Sequence, residues 1–117
     1  MPRKILVVDD DRSLCDLITD LLAGEGYAVS CAGDGLEALA AVEHDPPDLI
    51  VTDVHMPRLD GRGLVARLAE RRLRIPVILM SAAPRPPERL GAAFVAKPFH
   101  LDHLVAAVGR TLAVAEA

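Results

Sequence analysis

The chain has 117 residues, which is the size of one domain, and hydrophobic residues make up 51% of it. Its net charge of −4 argues against a nucleic-acid-binding face of any size. No apolar stretch is long enough for a membrane span or a signal peptide, so we expect one cytoplasmic domain over residues 1–117 that does not bind a membrane.

Apolar runs and helical patterns alternate along the chain. The runs are short and rich in Val, Ile and Leu, as in strands that are buried on both faces of a parallel sheet. The alternation predicts an α/β fold with right-handed crossovers and helices on both sides of the sheet. The five predicted strands lie at residues 5–8, 28–32, 49–52, 77–80 and 94–96. The helical patterns lie around residues 14–22, 36–42, 64–68 and 101–112.

The fourth crossover, between Ser81 and Phe94, breaks this rhythm. It contains Pro84, Pro86 and Pro87, and proline in a helix interior removes a hydrogen bond and clashes with the preceding turn. We therefore predict a loop with a degenerate helix. A regular helix is then missing as a contact surface, so we expect a monomer or a dimer through an atypical surface.

The two cysteines give little functional signal in the sequence. Cys15 falls within the first helical pattern, and Cys31 lies near the end of the second strand. In a cytoplasmic protein such residues are more often reduced than disulfide-bonded. We expect two buried, reduced thiols.

Residues suited to phosphate chemistry follow four of the predicted strands. Asp9 and Asp10 follow the first strand, Asp53 the third, Ser81 the fourth and Lys97 the fifth. Because all strands of a parallel sheet point the same way, the residues just past their ends gather at one edge. The sequence therefore predicts that carboxylates, a hydroxyl and an ammonium group converge there.

Adjacent carboxylates at one edge repel each other unless a cation lies between them. Asp9, Asp10 and Asp53 together would make an all-oxygen site, for which Mg²⁺ is the natural occupant. The alternative is that the acids only begin the first helix, since Asp is a good N-cap. We assign that role to Asp11, which leaves Asp53 and Lys97 unexplained by capping.

The same residues lie in motifs that resemble the receiver domain of two-component response regulators. The resemblance covers nearly the whole chain and rests on ILVVDDD (5–11), DGLEAL (34–39), DLIVTDVHMPRLDG (48–61), PVILMSA (76–82) and FVAKPF (94–99). It implies a flavodoxin-like, doubly wound sheet of five parallel strands in the order 2-1-3-4-5, an order for which a receiver protein is a standard example.

The resemblance also implies a role for each residue at the edge. Asp53 would be the phosphoacceptor, receiving a phosphoryl group from the phosphohistidine of a histidine kinase or a histidine phosphotransfer protein. Mg²⁺ would be bound by Asp10, Asp53 and the backbone carbonyl of His55, and by Asp9 through water. Lys97 and Ser81 would contact the phosphoryl oxygens, and Ser81 and Phe94 would act as the switch pair.

Some positions vary from or tune the family pattern. Phe94 often corresponds to Tyr in the family, and without a hydroxyl we expect it to favour an inward position. His55 and Ala83 are positions that shape water access to the phosphoryl group. The implied function is a single-domain response regulator that switches an unknown downstream protein or relays phosphate. It would be no enzyme beyond its own phosphorylation and dephosphorylation.

Parts of the sequence are also compatible with two other functions. ILVVDDDRS also fits the opening motif of haloacid-dehalogenase-like phosphatases, with Asp9 as nucleophile and Asp11 as general acid. That family needs a further acidic pair after the lysine to hold Mg²⁺, but only Asp102 and Glu116 follow Lys97, and both fall in the last helical pattern. Asp53 would also have no role in such an enzyme. The other alternative is a pseudo-receiver, a protein-interaction module that is not phosphorylated; the degenerate helix leaves it open, whereas the complete set of acids argues against it.

Overall fold

A computed structural model describes residues 2–81, 93–96 and 101–116. In this part of the chain, strands and helices alternate from the first strand to the fourth. The strands are β1 (Lys4–Val8), β2 (Ala28–Ala32), β3 (Leu49–Asp53), β4 (Val77–Ser81) and β5 (Ala93–Ala96). The helices are α1 (Arg12–Gly24), α2 (Gly35–His44), α3 (Gly61–Glu70) and α4 (Leu101–Glu116).

The strands form one sheet in the order β2-β1-β3-β4-β5, and every neighbouring pair is parallel. This is the strand order that the family resemblance implied. The register aligns the strand ends: Val8 lies opposite Thr52, Asp53 opposite Met80, and Ser81 opposite Ala96. The segments that leave β1, β3 and β4 therefore begin at one edge of the sheet, as the sequence predicted.

Two apolar cores lie on opposite faces of the sheet. Alternate residues of a strand point to opposite faces, so Val7 joins the core under α1 and α4, whereas Leu6 joins the core under α2 and α3. Both faces of β1 and β3 are thus buried, which explains why these strands read as continuous apolar runs. The α/β fold with helices on both faces is confirmed.

An aspartate caps each of the first three helices. The backbone N–H groups of Leu14, Glu37 and Gly63 donate to the side chains of Asp11, Asp34 and Asp60, at 3.2, 2.9 and 2.7 Å. A carboxylate at this position satisfies an orphan N–H and complements the positive end of the helix dipole. The predicted capping role of Asp11 is confirmed.

Three further predictions concern the fourth crossover, membrane spans and the two thiols. The segment with the predicted degenerate helix lies outside the described residues. None of the helices in the described ranges has the length and apolarity to cross a membrane. Cys15 is buried as expected, but Cys31 is exposed. The expectation of two buried thiols was wrong because β2 is the edge strand, and its residues are largely exposed.

Candidate functional site

Three aspartates, Asp9, Asp10 and Asp53, form an acidic group at the edge of the sheet where β1 and β3 end. Asp9 is buried, Asp10 is exposed and Asp53 is half-buried. One carboxylate oxygen from each residue lies within 4.8 Å of the other two. Three acidic oxygens at this spacing fit a hard divalent cation such as Mg²⁺, which takes oxygen ligands and keeps several waters. The predicted convergence of these acids is therefore observed.

Local backbone contacts hold Asp9 in place. The residue is only 3% exposed, and its Oδ1 accepts a hydrogen bond from the backbone N–H of Asp11 at 2.8 Å. Its own N–H donates to the carbonyl of Ala32 at 3.1 Å, which ties the residue to the end of β2. A carboxylate held this firmly beside two others is an arrangement that a bound cation would stabilise.

The loop after Asp53 returns tightly to the end of β3. The N–H of Gly61 donates to the carbonyl of Val54 at 2.9 Å. A Cβ at position 61 would overlap the carbonyl oxygen of Asp53 and lie 3.1 Å from the Cα of Val54. Only glycine lets the start of α3 approach Asp53 this closely. The side chain of His55, in the same loop, is exposed.

An aspartate outside the acidic group connects this loop to α2. Asp34 is 7% exposed, and its Oδ2 accepts a hydrogen bond from Nε of Arg58 at 2.7 Å. The N–H of Gly35 donates to the carbonyl of Leu59 at 2.9 Å. Arg58 has a φ of 67° and is bridged by a hydrogen bond from the Leu59 N–H to the Pro57 carbonyl, which is the strained form of a γ-turn.

The surroundings of Asp34 favour its charged form. The hydrogen bond from the backbone N–H of Glu37 lowers the pKa of Asp34, and the hydrogen bond and charge of Arg58 lower it further. Desolvation opposes these effects but does not outweigh them. Asp34 therefore remains a carboxylate that serves the α2 N-terminus with one oxygen and the β3–α3 loop with the other.

Sequence reasoning missed the Asp34–Arg58 pair and the role of Gly61. The pattern Asp34-x-x-Glu37 is an N-cap signature that could have indicated the position of Asp34. Its pairing with Arg58 has no comparable signal, because the two residues meet only after the loop has folded.

The other predicted site residues are partly or wholly outside the described part of the structure. The backbone of Ser81 ends β4 next to Ala96, and Phe94 lies in β5 opposite Leu79. Lys97 and Ala83 lie outside the described residues. The structure thus brings together Asp9, Asp10 and Asp53, and it positions only the backbone of Ser81 and Phe94.

Comparison with known proteins agrees with this geometry. The sequence model of the family described as "Response regulator receiver domain" matches residues 5–109. The chain belongs to the receiver domain family. Response regulator MprA of Mycobacterium sp. (strain KMS) is a relative that is 38% identical over 112 residues, or 91% of this chain and 49% of that protein. The chain therefore spans about half the length of the curated relatives it matches.

Solved receiver domains have the same fold. The receiver domain of the Francisella response regulator 1452 has a TM-score of 0.90 at 31% identity, with 97% of this chain and 98% of that chain covered. The receiver domain of NtrX from Brucella abortus has a TM-score of 0.82 at 33% identity, covering 92% of this chain and 97% of that one. The predicted family is confirmed, and the chain is a signalling domain of the two-component type.

Proposed function

We propose that this receiver domain, over residues 1–117, is a Mg²⁺-dependent phosphorylation switch with Asp53 as phosphoacceptor. The observation that carries the proposal is the meeting of Asp9, Asp10 and Asp53 within 4.8 Å. A dehalogenase-like enzyme would use Asp9 as nucleophile and would give Asp53 no role at this site. The half-buried Asp53 at the end of β3 is better suited to accept a group delivered from outside.

In the proposed reaction, a carboxylate oxygen of Asp53 attacks the phosphorus of a phosphohistidine. The new oxygen–phosphorus bond forms as the bond to the imidazole nitrogen breaks, and the donor ring, which carries a proton on its other nitrogen, leaves as neutral histidine. The donor would be a histidine kinase or a histidine phosphotransfer protein in the cytoplasm. Bound Mg²⁺ would supply positive charge that offsets the negative charge of the transferring group.

The remaining site residues have supporting roles in this proposal. Asp10 and the backbone carbonyl of His55 would bind Mg²⁺ together with Asp53, and Asp9 would act through water. Lys97 would neutralise phosphoryl charge, and Ser81 would donate a hydrogen bond to a phosphoryl oxygen. Phe94 would move with Ser81 to present a different surface to a downstream protein, while His55 and Ala83 set how easily water reaches the phosphate.

The Asp34–Arg58 ion pair supports this arrangement by fixing the loop that contains His55. Arg58 lies in the same loop as His55, and its ion pair with Asp34 joins that loop to the start of α2. We infer that the contact keeps the carbonyl of His55 in reach of the acidic group. Loops that must hold a cation geometry work best when fixed by contacts of this kind.

The experiment is phosphorylation by acetyl phosphate in the presence of Mg²⁺, followed by intact-mass measurement. The wild type should gain one phosphoryl group, and Asp53→Asn should gain none. Asp20→Asn is the matched control, because Asp20 is exposed on α1 about two and a half turns beyond the cap. An adduct in Asp53→Asn would reject the assignment, and no adduct in any variant would favour the pseudo-receiver.

A further inference from the structure

Two thiols meet where α1 packs on the edge strand β2. The Sγ of Cys31 lies 3.7 Å from the carbonyl oxygen of Cys15, to which it donates. The Sγ of Cys15 in turn donates to the carbonyl oxygen of Val7 at 3.7 Å, and Val7 is the strand neighbour of Cys31. Thr19, one turn after Cys15, shares a hydrogen bond of 2.9 Å with the Cys31 sulfur. The two cysteine side chains are thus neighbours between α1 and β2.

The two cysteines differ in their access to solvent. Cys15 is 1% exposed, whereas Cys31 is exposed at the sheet edge. A cavity of about 110 Å³ is lined by both residues and also by Asp9 and Arg12. A small molecule in solution can therefore reach the sulfur of Cys31 more easily than the buried sulfur of Cys15.

Reactivity follows the same order. Burial raises the pKa of the Cys15 thiol well above its ordinary value, and the neighbouring Cys31 thiol raises it further. A protonated, buried thiol is a poor nucleophile toward a reagent in solution. Once Cys31 carries a leaving group nearby, however, Cys15 reacts within the molecule at a high effective concentration.

We propose that Cys31 and Cys15 form a thiol–disulfide exchange site for a low-molecular-weight disulfide, with Cys31 attacking first and Cys15 resolving. The Cys31 thiolate attacks one sulfur of the reagent, whose disulfide bond breaks and releases one thiol. Cys15 then loses its proton and attacks the Cys31 sulfur, and the second thiol leaves. Two protein thiols are oxidised to a disulfide while one reagent disulfide is reduced to two thiols.

This link would join α1 to β2 beside the acidic group. Asp9 lines the same cavity as both cysteines, and α1 begins at Arg12, two residues after Asp10. Oxidation would thus link the N-terminal part of α1 to the end of β2, on the side of the sheet where the proposed phosphorylation site lies. Neither cysteine has a role in the proposed phosphoryl transfer, so the exchange chemistry stands or fails independently of that proposal.

The test treats the folded, reduced protein with oxidised glutathione in buffer with EDTA and follows intact mass. The wild type should lose two hydrogens and retain no glutathione, and peptide mapping should link Cys15 to Cys31. Cys15→Ala should stop at a single glutathione adduct, because the resolving thiol is missing. Cys31→Ala should react at least about tenfold more slowly than the wild type, since only the buried thiol remains.

Three results would overturn the inference. One is a wild-type protein that keeps its glutathione adduct without forming the internal disulfide. Another is a Cys31→Ala variant that reacts as fast as the wild type. The third is a covalent dimer through Cys31 as the main product. Because the wild-type peptide map decides the first and third outcomes, the test does not depend on whether a variant folds.

Discussion

Nε of Arg58 lies 2.7 Å from Oδ2 of Asp34, so an ion pair links the loop after Asp53 to the first turn of α2. The arginine that makes this contact has a backbone φ of 67°, in the left-handed region that only glycine adopts without cost. Arg58 therefore fixes the loop through its side chain and carries the strain of the loop in its backbone. Substitutions at this residue can separate the two effects.

Arg58→Gly and Arg58→Ala both remove the ion pair, but only glycine relieves the strained backbone. We expect Arg58→Gly to be more stable than Arg58→Ala by about 1 kcal/mol, since a left-handed conformation costs a non-glycine residue about that much. Urea unfolding of the two variants measures the difference. Equal stabilities, or a more stable alanine variant, would contradict the observed γ-turn.

Asp34 should make stability depend on pH in the acid range. Its folded pKa is lowered from the ordinary value of 3.8, so folding favours the carboxylate. That contribution is complete above about pH 4 and is lost as the pH falls through the lower folded pKa. Asn can still cap α2 but cannot titrate. The free energy of unfolding of Asp34→Asn should therefore fall less steeply below pH 4 than that of the wild type.

Unfolding in urea at a series of pH values from 7 to 2 provides the measurement for Asp34. Exposed Asp20 supplies the control, because Asp20→Asn removes a carboxylate on the surface of α1. Parallel curves for the wild type and Asp34→Asn would show that Asp34 does not contribute to the acid dependence.

The close approach of α3 to the end of β3 depends on Gly61. An alanine there would press against the Asp53 carbonyl and lie 3.1 Å from the Cα of Val54. Overpacking against backbone costs about 1–3 kcal/mol, and the loop must shift to accommodate it. We expect Gly61→Ala to lose that stability in urea unfolding and to be phosphorylated more slowly.

Gly109→Ala is the matched control for Gly61. Gly109 lies within α4, and a Cβ there meets nothing within 4 Å. The same substitution should therefore stabilise the protein by about 0.5–1 kcal/mol through helix propensity. A stable Gly61→Ala variant with normal phosphorylation would show that the contact with Asp53 is not required.

Asp10→Asn should change stability in opposite directions with and without Mg²⁺. In EDTA the substitution removes like-charge repulsion at an exposed position and should stabilise the protein by roughly 0.5 kcal/mol. At a Mg²⁺ concentration 100 times its Kd, the wild type should gain about 2.7 kcal/mol, most of which the variant lacks. Thermal unfolding in both buffers tests this, and an equal response to Mg²⁺ in the two proteins would place the cation elsewhere.

Most of the fold was predictable because its signals are local. The apolar run at residues 49–52 reads as a strand, and the structure extends it by one residue to Asp53. The acids at the ends of β1 and β3 could be brought together from the sequence because parallel strands fix where their ends lie.

The features that sequence reasoning missed depend on tertiary contacts. The exposure of Cys31 follows from β2 being at the sheet edge, which residue composition does not reveal. The Asp34–Arg58 pair requires a loop conformation with positive φ at an arginine, contrary to local preference. Such contacts become visible only when the loop and the helix are seen together.

The most direct test of the central claim is the chemical location of the phosphoryl group. The protein is incubated with acetyl phosphate and Mg²⁺ and then treated with borohydride, which reduces an aspartyl phosphate to homoserine. Tandem mass spectrometry should find homoserine at position 53 and unmodified aspartate at positions 9 and 10. Homoserine at position 9, or none at any aspartate, would contradict the account.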